Sequence, residues 1–290
     1  MDILDPGRVL CLPQTMWLTY RVIMDRSDLS QEEILGLVTP TAMRSGTPQG
    51  GAHAARALAG LREFGLVQQS TDGLYQAPKV KDTAGFIRLL RQRLVAPPQT
   101  FGPDFEGAPD LRVGLVWLMR QSPTIPLDWD YVQSANSVKL FLNDTRWTAF
   151  PRWSQALGFG RPALTAMATG VGQKQTGVKI VPDPTEAVID VIRHPAGPAL
   201  PRDEQIPIQQ LLGFLRNELP VLPGHPSATY EGFAADPDNG LRALGLALSS
   251  AEQRKVLTMT YQSDPSGVLA LPDAQDYGRD RYVSAVRIKG

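Results

Sequence analysis

The sequence predicts a mainly α protein with small β-hairpins, organised as tandem winged helix-turn-helix units. Three observations carry the prediction. Apolar residues recur at three- and four-residue intervals through most of the chain. An early short helix is opened by a capping-box sequence, Ser30-Gln31-Glu32-Glu33. An amphipathic helix that ends at Gly65 is followed at once by two alternating runs around Asp72-Gly73, a hairpin signal.

The first unit unfolds in that order. Gln14 to Met24 places Trp17, Leu18, Val22 and Ile23 at helical spacing. In the second helix, about Gln31 to Val38, Ser30 is expected to accept from the Glu33 N–H while the Glu33 carboxylate reaches back to the Ser30 N–H. Thr39-Pro40 stops that helix, because a residue before proline avoids the helical region. After the connection from Gly46 to Gly51, the residues Ala54, Ala57, Leu58, Leu61 and Phe64 share one face of a third helix. Gly65 supplies its left-handed terminus. Leu66 to Gln69 and Leu74 to Gln76 then form a wing, with Asp72-Gly73 read as a two-residue turn.

The remainder repeats this plan without repeating its residues. Phe86, Leu89, Leu90 and Leu94 predict a trailing helix with Arg88, Arg91 and Arg93 on its other face, and Ala96-Pro97-Pro98 ends it before a linker reaching Pro109. A second unit begins at Asp110 with Leu111, Leu115, Trp117 and Leu118. It continues through a short helix from Pro126 to Ser134 and a helix carrying Trp147, Phe150, Trp153, Ala156 and Leu157, closed by Gly158. A strand at Val178 to Val181 and a helix from Pro184 to Ile192 follow. In the third unit, Leu211 to Leu219 and Leu241 to Gln253 are helical and Val256 to Tyr261 pairs with Tyr282 to Ile288, across a long connection from Gln262 to Arg281. The domains predicted are 1–96, 110–195 and 203–290.

Composition bounds the function. With 42% hydrophobic and 20% charged residues in 290, the chain is a folded protein of two or three domains rather than a disordered one. No apolar run has the length of a membrane span, Asp2 and Asp5 replace the positive start of a signal peptide, and the single cysteine, Cys11, excludes an internal disulfide framework. A cytoplasmic protein without membrane association is expected. The formal net charge is zero, which disfavours indiscriminate coating of nucleic acid, but it is unevenly placed. Between Asn136 and Pro182, six cations (Lys139, Arg146, Arg152, Arg161, Lys174, Lys179) face Asp144 alone, whereas from Asp183 to Gly240 nine acids face three arginines. Separate surfaces for separate partners, or an ordinary solvated surface, both fit this pattern.

Motifs for chemistry are sparse. Gly170 to Gly177, with Lys174, has glycines and a lysine but lacks the spacing of a phosphate-binding loop and the strand that leads into one. A mobile basic wing touching a phosphate through Lys174 fits better. His53, His194 and His225 are far apart, a lone cysteine builds no zinc cluster, and Asp128 and Asp130 diverge on a helix. Ser154 and Ser249 lack a nucleophile elbow. Trp147 and Trp153, six apart on an apolar face, read as core rather than as base-stacking residues. The expectation is a protein that is not an enzyme and takes no cofactor or metal.

For nucleic acid, the exposed N-terminal half of the third helix is the element that would enter a major groove. It carries Gln49, His53 and Arg56, with Arg44 and Arg62 near enough for phosphates. In the second unit the basic residues are Arg146, Arg152, Arg161 and Lys174. A wing reading Gln69-Ser70-Thr71-Asp72 offers the backbone no positive charge, so the first unit reads equally as a DNA-recognition or a protein-interaction module.

The stretch from Asn143 to Phe159, followed by Val181-Pro182-Asp183-Pro184-Thr185, resembles winged-helix accessory proteins of bacterial anti-phage islands. It is similar in particular to the DpdG family, encoded with a system that inserts and polices deazapurine bases in DNA. The resemblance implies a non-enzymatic component of a defence or restriction-modification assembly, working beside enzymes supplied by other chains. The function expected is a DNA-binding or DNA-sensing adaptor whose partners are double-stranded DNA and other protein subunits of the defence complex. The alternatives are a protein-interaction scaffold whose acidic Asp183 to Gly240 region docks a basic partner, and an autonomous transcriptional regulator.

Overall fold

The computed structural model describes residues 1–5, 7, 9–40, 42, 51–134, 141, 143–163, 178–229, 237–262, 267–272 and 279–290. The protein is mainly helical, with small antiparallel strand pairings. The chain divides into two compact units, Met1–Arg112 with Leu140–Leu157, and Val113–Lys139 with Gly158–Gly290.

In the first of these, α1 (Pro13–Asp25) starts at a proline whose missing N–H no helix needs, and it buries Met16, Tyr20 and Ile23 against α2 (Gln31–Val38) and α3 (Ala52–Glu63). The capping box forms as expected. The Ser30 N–H donates to Glu33 Oε2 at 2.8 Å and the Glu33 N–H to Ser30 Oγ at 3.3 Å. Gly65, at φ +66°, ends α3, and the Leu66 N–H reaches back to the Leu61 carbonyl at 2.8 Å, which satisfies an acceptor the helix leaves open. The hairpin that follows pairs β1 (Gln68–Gln69) with β2 (Tyr75–Gln76). Its turn differs from the two-residue form expected. Ser70 and Leu74 close a three-residue loop in which the Gly73 N–H donates to the Ser70 carbonyl at 3.0 Å and Gly73 takes φ +81°. Asp72-Gly73 thus serves a type I turn with a glycine bulge, the alternative that the same dipeptide supports.

The trailing helix α4 (Thr83–Val95) is capped by Asp82 and packs Phe86 on Tyr20, ring centroids 4.9 Å apart. Arg91 departs from expectation: it is buried, not on the outer face, and donates to the Leu157 carbonyl at 3.1 Å. A helix C-terminus leaves acceptors that a guanidinium can satisfy, and this one closes α7 (Asp144–Ala156). Trp147, Phe150 and Trp153 of α7 are buried, as the apolar face predicts, and the Trp153 indole N–H donates to the Cys11 carbonyl at 3.0 Å. Between α4 and α5 (Pro109–Leu118) the predicted linker is a folded turn, with Phe105 edge-on to Phe101 and the Arg93 guanidinium 3.8 Å from the Phe101 ring centroid.

In the second compact unit, α6 is Trp129–Ser134, shorter than the helix expected from Pro126. Asp128 caps it by accepting the Tyr131 N–H at 2.9 Å, and Leu127 before it bridges to Ile180 instead. The strands β3 (Gly160–Pro162) and β4 (Ile180–Pro182) pair antiparallel. After them come α8 (Thr185–Arg193), β5 (Gln205–Pro207), α9 (Ile208–Glu218), α10 (Pro237–Gln253) and β6 (Leu257–Thr260). The chain ends with β7 (Leu269–Pro272), β8 (Asp280–Val283) and β9 (Ala285–Ile288). Helix α8 packs on α10 and α9. The strand expected from Tyr282 to Ile288 is two strands parted at Ser284: β8 pairs with β7, and β9 pairs with β6 and β5. The long connection therefore contains a strand of its own. Ser284 makes the switch, its N–H donating to the Thr260 carbonyl and its hydroxyl accepting from the Gln262 N–H.

One succession recurs three times along the chain. A helix leads to a short extended piece, two further helices and two strands that pair with each other, the later of which lies between the extended piece and the earlier; in the third run β7 and β8 intervene between those two strands. The orders are Leu29–β2–β1, Leu127–β4–β3 and β5–β9–β6. The first two extended pieces are single bridge residues, Leu29 to Tyr75 and Leu127 to Ile180.

Gly158 sits where only glycine fits. Its φ is +81°, and an added Cβ would lie 2.8 Å from the Ala187 nitrogen and 3.1 Å from Glu186 Cβ. Gly158→Ala is expected to destabilise the second compact unit by about 2–3 kcal/mol, combining left-handed strain with displacement of the first turn of α8. Urea denaturation with an unchanged m-value would show it, and a loss below about 0.5 kcal/mol would refute the close approach.

Candidate functional site

The outer surface of α3 has two sides. Ala54, Ala57, Leu58 and Leu61 are spent on the core. On one flank, His53, Arg56, Gly60 and Glu63 meet the segment that precedes α1, which runs antiparallel to the helix. The Met1 sulfur lies against Gly60, Arg56 donates to the carbonyls of Asp2 and Asp5, and the Leu10 carbonyl accepts from His53 Nδ1 at 3.0 Å. Two devices pin this segment. Asp110, in the first turn of α5, accepts the Ile3 N–H at 3.0 Å, the Leu4 N–H at 2.6 Å and the Leu111 N–H at 2.7 Å, and Trp153 holds the Cys11 carbonyl. Ile3, Leu4 and Cys11 are fully buried.

The other flank is open. Ala55, Ala59 and Arg62 border a cavity of about 370 Å³ whose further walls are Gln31, Leu58, Glu63 and Tyr75. Arg62 donates to Gln69 Oε1 at 3.0 Å, which ties α3 to the hairpin. The charged residues at this cavity are Arg62 and Glu63, and the hairpin tip adds Asp72 but no cation.

His53 and Arg56 therefore lie against the first residues of the chain, at the N-terminal half of α3. Arg44, Gln49 and Lys174 lie outside the described residues. Arg146, near the start of α7, pairs with Asp5 through Nη2 and Oδ2 at 3.1 Å, and Arg152 is exposed on the same helix. Arg161 belongs to β3 in the other compact unit, where its Nε meets Asp183 Oδ2 at 3.0 Å. Asp183 also accepts from Thr185, so this pair joins the β3–β4 pairing to the start of α8. In the same unit Lys179 pairs with Asp128 at 2.9 Å. Of the predicted residues, then, the structure brings Arg56 and Arg146 to one place, around Asp5.

The Asp5 carboxyl is held below the usual aspartate range, first by the Gly7 N–H at 2.9 Å and then by Arg146 and Arg56 against a desolvation cost. Burial pushes Asp110 the other way, upward, in spite of the N–H groups it accepts. Neither aspartate stood out in the sequence. The only signal was Asp110 at a helix start, which reads as dipole complementation. Among the described residues no group of His, Cys, Asp and Glu side chains is arranged to hold a metal ion. Among those residues, too, no helix is long and apolar enough to cross a membrane.

Against known families, the DpdG-like model matches residues 1–265. The chain belongs to the DpdG-like family. No curated protein and no solved structure gives a significant match. Membership associates the chain with a DNA-modification system. The residues that carried the resemblance now have places: Asn143 caps α7 by accepting the Arg146 N–H, Trp147, Phe150 and Trp153 are on its buried face, Leu157 closes it, and Val181 to Thr185 joins β4 to α8. Within this DpdG-like chain those residues serve largely for packing and capping.

Proposed function

We propose that this protein is a tandem winged-helix adaptor that binds or senses duplex DNA within a bacterial defence or restriction-modification system, without catalysis of its own. The observation that carries the reading is the threefold succession with its central last strand. That is the strand order a helix-turn-helix with a wing produces, and such units dock on DNA through the third helix and the wing. Family membership supplies the DNA-modification setting. Arg152 on α7 and Arg161 on β3, together with Lys174 between β3 and β4, are the residues assigned to phosphates in the second unit.

The test is binding of a fluorescent random-sequence duplex over a salt series. Micromolar affinity falling steeply with salt is expected. The variant Arg152→Ala/Arg161→Ala/Lys174→Ala should bind all sequences more weakly, with the slope of log K against log salt reduced by roughly 0.9 per lost phosphate contact. An unchanged slope in that variant removes the assignment, and absence of binding even at low salt removes the DNA reading.

A second reading rests on the open flank of α3. Its alanines, its cavity and a hairpin that carries Asp72 and no cation suit another subunit better than a phosphate backbone. In that reading the first unit is a protein-docking module, and a complex with a neighbouring subunit that survives nuclease treatment would favour it.

A further inference from the structure

We infer that Arg56 and Arg146 form a two-arginine anion site that Asp5 occupies in the free protein, and that a DNA phosphate is the ligand Asp5 imitates. The inference rests on the DNA-binding reading above and adds to it a site and its intramolecular competitor.

Arg56 comes from α3 and Arg146 from α7, the helices that occupy the same place in the first and second repeats of the succession. They converge on one residue. Arg146 Nη2 is 3.1 Å from Asp5 Oδ2, and Arg56 Nη2 donates to the Asp5 carbonyl. Both cations lower the carboxyl's proton affinity, as a shared anion site requires. The Asp5 carboxylate against Arg146, with its own carbonyl against Arg56, presents charge and acceptor oxygens to two guanidinium groups as a phosphate would.

The segment is built so that only its middle needs to yield. Asp110 fixes Ile3 and Leu4 on one side, and Trp153 fixes Cys11 on the other. Between these anchors the Asp5 side chain remains 45% exposed. Rotation of that side chain, without release of the buried residues, gives Arg146 to an incoming phosphate, while Arg56 stays on the Asp5 carbonyl and adds its charge beside it. Gly7 makes room for the arrangement, since a Cβ there would lie 2.7 Å from Arg56 Nη1.

The decisive variant is Asp5→Asn, which keeps an oxygen for the Gly7 N–H and removes the charge. Binding of the full chain to a fluorescent 20-base-pair duplex is measured over the same salt series. Asp5→Asn is expected to bind about tenfold more tightly at low salt, with a slope steeper by about 0.9 for the one arginine, Arg146, that it releases. Adding Arg146→Gln to it should remove most of that gain. Where Asp5→Asn loses its fold, Asp5→Ser, whose hydroxyl also accepts the Gly7 N–H, replaces it. If wild type binds with a salt slope and neither Asp5 variant exceeds it, the site falls and the DNA reading stands. If neither wild type nor variant binds duplex, the DNA reading falls and takes the site's ligand with it. A gain confined to a polyglutamate peptide overturns DNA phosphate in favour of an acidic protein partner.

Discussion

Asp110→Ala is expected to lower the unfolding free energy of the first compact unit by roughly 3–5 kcal/mol, since hydrogen bonds to a charged group are worth about 1.5–3 kcal/mol each and orphaned buried donors add their desolvation. The carboxylate accepts three backbone N–H groups, and two of them belong to Ile3 and Leu4, more than 100 residues away in the chain and fully buried. Alanine offers no acceptor, and the position is buried at 6% exposure. Asp110→Asn should cost less, because its single amide oxygen retains Ile3 and Leu111 while the amide nitrogen repels the Leu4 N–H. Urea denaturation followed by tryptophan fluorescence measures both. A loss below about 1 kcal/mol for the alanine variant would show that the segment is held by packing alone.

The pH dependence of this contribution has a definite sign. Burial raises the folded-state pKa of Asp110 above its ordinary value of 3.8. The folded chain therefore binds that proton more tightly than the unfolded chain does. Its stabilising effect is complete below the unfolded value and is lost as pH rises through the raised folded value. The margin of wild type over Asp110→Asn, which does not titrate there, is expected to be larger near about pH 4 than near about pH 7. A margin that grows with pH would mean that the N–H groups, not burial, dominate.

Trp153→Ala is expected to cost about 3–5 kcal/mol, the usual penalty for emptying a fully buried tryptophan site. The ring has no exposed surface and its N–H is committed to Cys11. Trp153→Phe keeps most of the apolar contact and loses that hydrogen bond, so about 1–2 kcal/mol is expected. The pair of variants also separates core from interface. A base-stacking tryptophan contributes about 1–3 kcal/mol to binding, whereas duplex affinity of Trp153→Phe should match wild type once both are folded. A selective loss of affinity at unchanged stability would return Trp153 to the interface.

Much of the local architecture was legible. The capping box at Ser30, the periodic face of α3, the left-handed stop at Gly65 and the tryptophan face of α7 all depend on residues three to five apart, so spacing alone reveals them. Asp72-Gly73 marked the hairpin correctly but not its loop length, because the same dipeptide suits two turns and the choice follows from strand register. Arg91 was placed on the wrong face because a guanidinium is assumed to seek water, while here it finds carbonyls at the end of a helix far along the chain. Ser284 was read through as continuous strand, since β8 and β9 have the same alternation and only their different partners part them.

The candidate site shows the same division more sharply. Arg56 and Arg146 were chosen from the sequence as exposed cations for DNA, and nothing in the sequence joined them to each other or to Asp5. The sequence by itself determined most helices, their caps and the hairpin positions, because these arise from neighbours within a turn or two. Tertiary structure alone decided that the first residues of the chain lie along α3, that Asp110 holds them and that one residue, Asp5, draws together two arginines from different repeats through its carbonyl and its carboxylate. Those contacts join residues separated by about 50 to more than 100 positions. At that distance neither periodicity nor propensity carries information, and packing selects the partners.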